Sequence, residues 1–168
     1  MCIFDVELYS RKIIIILKQI RKTFSLFEMN TNVQILLADD DQEDRLIMAE
    51  GFKELGLSNV INFVEDGTQV LEYLDVKGAE GINLIILDLN MPRLNGTETL
   101  RVLKTNSKYF HIPVIILSTS VNDLEKKSCL DLGAKDYIIK PVKYHVFLDT
   151  CKTLYRISQE PIAPAHSS

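Results

Sequence analysis

The run Leu84-Ile85-Ile86-Leu87-Asp88, followed at once by Asn90-Met91-Pro92 and Asn95-Gly96, is the feature that most limits how this chain can fold. Apolar, β-branched at its centre and bounded by turn residues, it predicts a short buried strand. Its last residue then stands at the carboxyl edge of a sheet, rigidly held and open to solvent. The run Val33-Gln34-Ile35-Leu36-Leu37-Ala38 has the same form and ends in Asp39-Asp40-Asp41. Ligands of open α/β sheets bind just outside the carboxyl ends of the strands, so two strands that deliver carboxylates to one edge mark a candidate site.

The same rhythm runs through the chain. Strands are predicted at about 33–38, 59–65, 82–87, 112–118 and 135–139. Helices are predicted between and after them, at about 42–55, after Asp66-Gly67, after Pro92, at about 122–133 and at about 143–157. Gly56, Gly78, Gly81 and Gly133 stand where helices should stop. In the first helix Leu46, Ile47, Ala49 and Phe52 recur at roughly helical spacing. In the last, Phe147, Cys151 and Leu154 make one buried face and leave Val146, Tyr155 and Ile157 for a contact surface. Alternating strands and helices of these lengths predict a parallel sheet covered on both faces, because each parallel crossover needs a helix and right-handedness fixes its side.

Each strand-like run ends in a polar residue of a different chemical type: Ile112-Pro113-Val114-Ile115-Ile116-Leu117 leads into Ser118-Thr119-Ser120, and Asp136-Tyr137-Ile138-Ile139 into Lys140-Pro141. With Asp39-Asp40, Asp88, Ser118 and Lys140 at five signature positions, the stretch from about Val33 to Ile157 resembles the receiver domain of two-component response regulators. The wording around Asp88-Leu89-Asn90-Met91-Pro92-Arg93, Ser118-Thr119-Ser120 and Lys140-Pro141-Val142 resembles most the stand-alone receivers that partner phytochromes and related histidine kinases. The resemblance implies a flavodoxin-like, doubly wound α/β fold of three layers. Its five-stranded parallel sheet has the order 2-1-3-4-5 and a switch point between strands 1 and 3.

The chemistry follows from the residue types. Clustered carboxylates repel unless protonated or neutralised by a cation, and Mg²⁺ is a hard ion that takes one or two protein carboxylates and fills its other positions with water and phosphate oxygens. Asp40 and Asp88 are the expected direct ligands, with Asp39 acting directly or through water and the backbone carbonyl of Asn90 as a further ligand. Asp88 is the expected phosphoacceptor, and Lys140 and Ser118 supply an ammonium and a hydroxyl to the phosphoryl oxygens. By itself an Asp-Asp-Asp run is an ordinary helix cap, and Asp41 is left with that role. The resemblance further implies that Pro141 is cis and that Tyr137 is a switch residue turning inward as Ser118 moves. His111 has no ligand partner and is left incidental, and Cys129 and Cys151 are expected to be helix-packing residues.

Composition sets the remaining bounds. A chain of 168 residues, 46% hydrophobic and 25% charged, suits one domain with short extensions. A formal charge of −4 offers no electrostatic reason to bind nucleic acid, so protein partners are expected. Three scattered cysteines, Cys2, Cys129 and Cys151, indicate neither a disulfide framework nor zinc, and are read as reduced thiols of a cytoplasmic protein. Ile13-Ile14-Ile15-Ile16-Leu17 is far shorter than the roughly 20 residues that span a bilayer, and Asp5 and Glu7 do not suit a signal peptide. Residues 1–32 are therefore an extension for which an accessory amphipathic segment and a consequence of start-site choice before Met29 both stay open. The receiver itself is expected at 33–157, and 158–168, rich in Pro, Ala and Ser, as a disordered tail.

Only 27 residues follow Pro141, so output is expected through a surface rather than an attached domain. The expected partner is a histidine kinase, phytochrome-like by resemblance, with a homodimer through helix 4, strand 5 and helix 5 as a further expectation. A phosphorelay intermediate that passes its phosphoryl group to a histidine phosphotransfer protein remains the alternative. An enzyme acting on a small substrate is disfavoured, since no separate general acid or enclosing cap accompanies Asp88.

Overall fold

The computed structural model describes residues 32–162. The expectations for residues 1–31 and 163–168 lie outside that range. Five strands and five helices alternate in the described part: β1 (Ile35–Ala38), α1 (Gln42–Glu54), β2 (Ile61–Val64), α2 (Gly67–Lys77), β3 (Leu84–Leu87), α3 (Gly96–Thr105), β4 (Val114–Ser118), α4 (Asp123–Asp131), β5 (Asp136–Ile139) and α5 (Tyr144–Ser158). All strand pairs are parallel and the order is β2-β1-β3-β4-β5, as expected.

The pattern of burial follows from this order. The central strands β1, β3 and β4 are buried along their whole length, because helices cover both of their faces. Edge strands β2 and β5 are only partly buried. On one face Leu36, Ala38, Ile85, Leu87, Val114 and Ile116 pack with Val70 and Leu74 of α2, Leu100 and Leu103 of α3, and Cys129 of α4. The alternate residues Ile35, Leu37, Ile86, Ile115 and Leu117 are buried on the other face. There α1 meets α5 closely: Cys151 Sγ lies 3.7 Å from Met48 Sδ. A Cβ on Gly51 would stand 2.5 Å from the Phe147 ring, so α1 and α5 approach this closely only because residue 51 has no side chain.

Helix ends are set by local chemistry that the sequence displays. Asp41 caps α1 through a 2.7 Å bond from Glu43 N–H, and Asn95 with Glu98 forms a reciprocal capping box on α3. Gly56, Gly78 and Gly133 adopt positive φ where α1, α2 and α4 stop.

Leu46 and Ile47 are exposed (58% and 51%), since α1 turns Met48, Gly51 and Phe52 to the sheet and α5. Two expectations are corrected, the exposure of Tyr155 and Ile157 and the cis form of Pro141. Tyr155 and Ile157 are buried, leaving only Val146 of that trio exposed. The physical reason is helical spacing: Tyr155 lies four residues after Cys151 and Ile157 three after Leu154, so both belong to the stripe already assigned to the core. Pro141 is not cis, for the described residues hold no cis peptide bond.

Candidate functional site

Register brings the acidic residues together. Ala38 pairs with Leu87, so Asp39 and Asp88 leave adjacent strands at the same level of the switch point. Asp88 N–H donates to Ala38 O at 2.9 Å and Asp39 N–H to Val64 O at 3.1 Å, which fixes both residues to the sheet. Both residues are nearly enclosed, at 3% exposure for Asp39 and 6% for Asp88, whereas Asp40 is exposed at the rim. Asn90 N–H donates to Asp88 Oδ2 at 2.6 Å, so the loop folds its backbone back over the carboxylate.

Lys140 arrives from the far side of the sheet. Its N–H donates to Ser118 O at 2.8 Å, extending the β4–β5 ladder by one rung, and this rung rather than a cis proline starts the lysine on its inward path. The ammonium then lies 2.7 Å from Asp39 Oδ2, 2.7 Å from Asp44 Oδ2 and 3.0 Å from Asp88 Oδ1. Ser118 is fully buried at the end of β4, where its Oγ accepts from Ser120 N–H at 3.1 Å. Tyr137 is likewise buried, and its hydroxyl lies 3.1 Å from Ser120 O and 3.2 Å from Glu125 Oε2. The structure thus brings Asp39, Asp88 and Lys140 into direct contact. Ser118 meets the Lys140 backbone, and Tyr137 is linked to Ser118 through Ser120.

The titration behaviour has opposing causes. Burial raises the Asp39 pKa, and the Lys140 ammonium only partly offsets this. Burial would lower the Lys140 pKa, but bonds from Asp39, Asp44 and Asp88 outweigh it and hold the ammonium above the usual lysine range. A folded-state pKa above the unfolded value means that Lys140 stabilises the fold fully below its unfolded pKa, near ~10.4, and that this contribution is lost as pH rises through the folded value. Lys140→Met is therefore expected to lose about 2 kcal/mol at neutral pH, allowing for partial exposure. The gap to the wild type should shrink above about pH 11. Urea midpoints at the two pH values check this, and a gap independent of pH would contradict it.

Sequence reasoning missed two groups. Asp44 reads as an ordinary first-turn acid, and nothing local reveals that it reaches Lys140. Arg93, at φ 64, places its guanidinium on Asp66, which is fully buried and also caps α2 through Thr68 N–H at 2.7 Å and Gln69 N–H at 3.0 Å. Gly67 N–H donates to Leu94 O at 3.1 Å, so the loop after β3 is clamped to the start of α2.

The donor set suits a hard divalent ion. Among the described residues no three His, Cys, Asp or Glu side chains converge as a ready-made metal cage. Magnesium does not need one: it uses one or two carboxylates and completes its shell with water. Asp39, Asp40 and Asp88 offer oxygen alone, and an ammonium already stands between Asp39 and Asp88, where positive charge is required.

A three-layer α/β sandwich with this strand order and this acidic switch point is the receiver fold of the chemotaxis type. The family model described as the response regulator receiver domain matches residues 35–152, and the chain belongs to that family. Among curated proteins it is 35% identical over 121 residues to the two-component response regulator ARR7 of Arabidopsis thaliana, a match covering 66% of this chain and 57% of ARR7. Among solved structures it is similar to the phosphorylated cyanobacterial phytochrome response regulator RcpA, with TM-score 0.68 and 28% identity over 80% of this chain and 98% of that one. It is also similar to the Mn²⁺-bound form of the response regulator Rcp1, with TM-score 0.66 and 25% identity over 79% of this chain and 99% of that one. Among the described residues, no helix is long and apolar enough to cross a membrane.

Proposed function

We propose that residues 33–157 form a single-domain response regulator that accepts a phosphoryl group from a histidine kinase onto Asp88, with Mg²⁺ held by Asp40 and Asp88, by Asp39 directly or through water, and by the backbone carbonyl of Asn90. The observation that carries this reading is the enclosed Asp88 carboxylate at the switch point, with Lys140 Nζ 3.0 Å away and Ser118 ending the neighbouring strand. In the transfer a carboxylate oxygen of Asp88 bonds to phosphorus as the phosphorus–nitrogen bond of the kinase phosphohistidine breaks, and the imidazole leaves with the electron pair. Mg²⁺ would supply charge neutralisation between the carboxylates and the incoming phosphoryl oxygens. Lys140 turns its ammonium to the new anion. Ser118, whose Oγ accepts from Ser120 but still has a hydrogen to give, donates to a phosphoryl oxygen.

The movement of Ser118 pulls on Ser120, whose carbonyl lies beside the Tyr137 hydroxyl, and so reaches α4 through Glu125. Output leaves through the α4–β5–α5 face by protein–protein contact, homodimerisation included, with Leu124, Ile139 and Val146 among the exposed apolar residues of these elements. RcpA is a phytochrome response regulator, and the similarity to it favours a phytochrome-like histidine kinase as the partner, in the cytoplasm. The net charge of −4 argues against nucleic acid as the target.

Treatment with acetyl phosphate and Mg²⁺, followed by borohydride reduction and peptide mapping, tests the reading. The modified residue is expected at position 88, and labelling at another carboxylate, or labelling undiminished by a chelator, would refute it. Ser118→Ala is expected to keep phosphorylation while losing most of the phosphorylation-dependent change in the Tyr137 environment. Tyrosine-resolved NMR with and without beryllofluoride measures that change.

A further inference from the structure

The Lys140 ammonium is ringed by three carboxylates: it donates hydrogen bonds to Asp39 and Asp44 and forms an ion pair with Asp88 at 3.0 Å. Two of those partners, Asp39 and Asp88, belong to the site already described. The third, Asp44, comes from the first turn of α1 and has no part in the reaction set out above. Helix capping does not explain it, because Asp41 is the cap. Nor does the helix dipole require it, because Glu43 already supplies an acid in the same turn. What distinguishes Asp44 is the direct 2.7 Å bond to Lys140, as short as the bond from Asp39.

An ammonium held between three carboxylates must loosen its hold on one of them to turn towards phosphoryl oxygens. The three partners are not equally easy to release. The Asp39 and Asp88 side chains are 4% and 7% exposed, and leaving either unpaired would strand a buried charge. Asp44 is 39% exposed, so water can take the place of the ammonium at low cost.

We propose that Asp44 is a positioning residue that competes with the phosphoryl group for Lys140. It holds the ammonium towards α1 before phosphorylation and releases it when phosphate is attached. The inference rests on the reading of Asp88 as the phosphoacceptor. Its consequence is that Asp44 restrains switching, because the bond given up subtracts from what Lys140 contributes to the phosphorylated state.

Beryllofluoride binding at saturating Mg²⁺, followed by NMR, tests this with a double-mutant cycle. Asp44→Asn is expected to tighten beryllofluoride binding about 3- to 10-fold, the scale of one charge-assisted hydrogen bond between partly exposed groups. In a Lys140→Ala or Lys140→Gln background the same substitution should change binding less than about 2-fold. Equal tightening in both backgrounds would mean that Asp44 only repels the anion, and unchanged binding in the otherwise native chain would mean that it does not compete; either overturns the proposal. Asp88→Asn serves as the separate control. Beryllofluoride binding that survives it removes the phosphoacceptor reading and this proposal together, whereas binding that needs Asp88 but ignores Asp44 removes this proposal alone.

Discussion

Asp88→Asn is expected to reduce phosphoryl labelling by acetyl phosphate or a histidine kinase to background while leaving the fold intact. An amide oxygen lacks the anionic charge of a carboxylate and is a far weaker nucleophile, so the substituted side chain cannot open the reaction even if every neighbour stays in place. Its shape is that of the carboxylate, and its oxygen can still accept from Asn90 N–H, which bonds Asp88 at 2.6 Å, while the Lys140 ammonium stays close by, 3.0 Å from Asp88 Oδ1 in the native chain. Stability should change by less than about 1 kcal/mol, because the lost attraction to Lys140 is offset by relief of repulsion from Asp39. Urea unfolding and intact-mass labelling on the same sample check both halves. A labelled Asn variant would place the phosphoacceptor elsewhere.

Gly96→Ala is expected to cost about 3 kcal/mol and to impair labelling as well. A Cβ at this position would stand 2.1 Å from Asp88 O, 2.9 Å from Leu89 Cα and 3.0 Å from Asp88 C, all of them backbone atoms. No side chain can swing aside to make room. Gly96 N–H also donates to Leu89 O at 3.1 Å, so relief can come only by pushing α3 away from the loop that carries Asp88. The natural control is Gly81→Ala, where an added Cβ meets nothing within 4 Å and the change should stay within about 0.5 kcal/mol. Chemical denaturation of both variants, with labelling rates for Gly96→Ala, decides the matter. Wild-type stability and rate in Gly96→Ala would show that the loop is looser than this packing implies.

Much of the fold was legible because short-range rules carry it. The apolar runs at Ile35–Ala38 and Leu84–Leu87 form buried strands, Gly56 and Gly133 end helices at positive φ, and Asp41 caps α1. Strand order came instead from the family resemblance, which the observed order matches. The face of α5 was read too narrowly at Tyr155 and Ile157. Spacing identifies a stripe but not its width, which depends on how deeply the helix sits against its neighbours. Leu46 and Ile47 are exposed although apolar, because α1 turns Met48 and Phe52 to the core.

The candidate site divides along the same line. The sequence by itself determined which functional groups end the strands, namely Asp39, Asp88, Ser118 and Lys140, because each follows directly on a run whose strand character is local. Only the tertiary structure decided which of those groups touch. The parallel register set Asp39 beside Asp88, while the crossovers brought Lys140 across 101 residues to Asp39 and across 96 to Asp44. The Arg93–Asp66 clamp and the absent Cβ of Gly96 belong to the same class. Local propensity acts over a few residues and leaves a trace in the pattern of side chains. A contact between a helix and a strand end a hundred residues away depends on where the packed layers put them, and a lone aspartate on a helix looks the same whether it meets water or a buried ammonium.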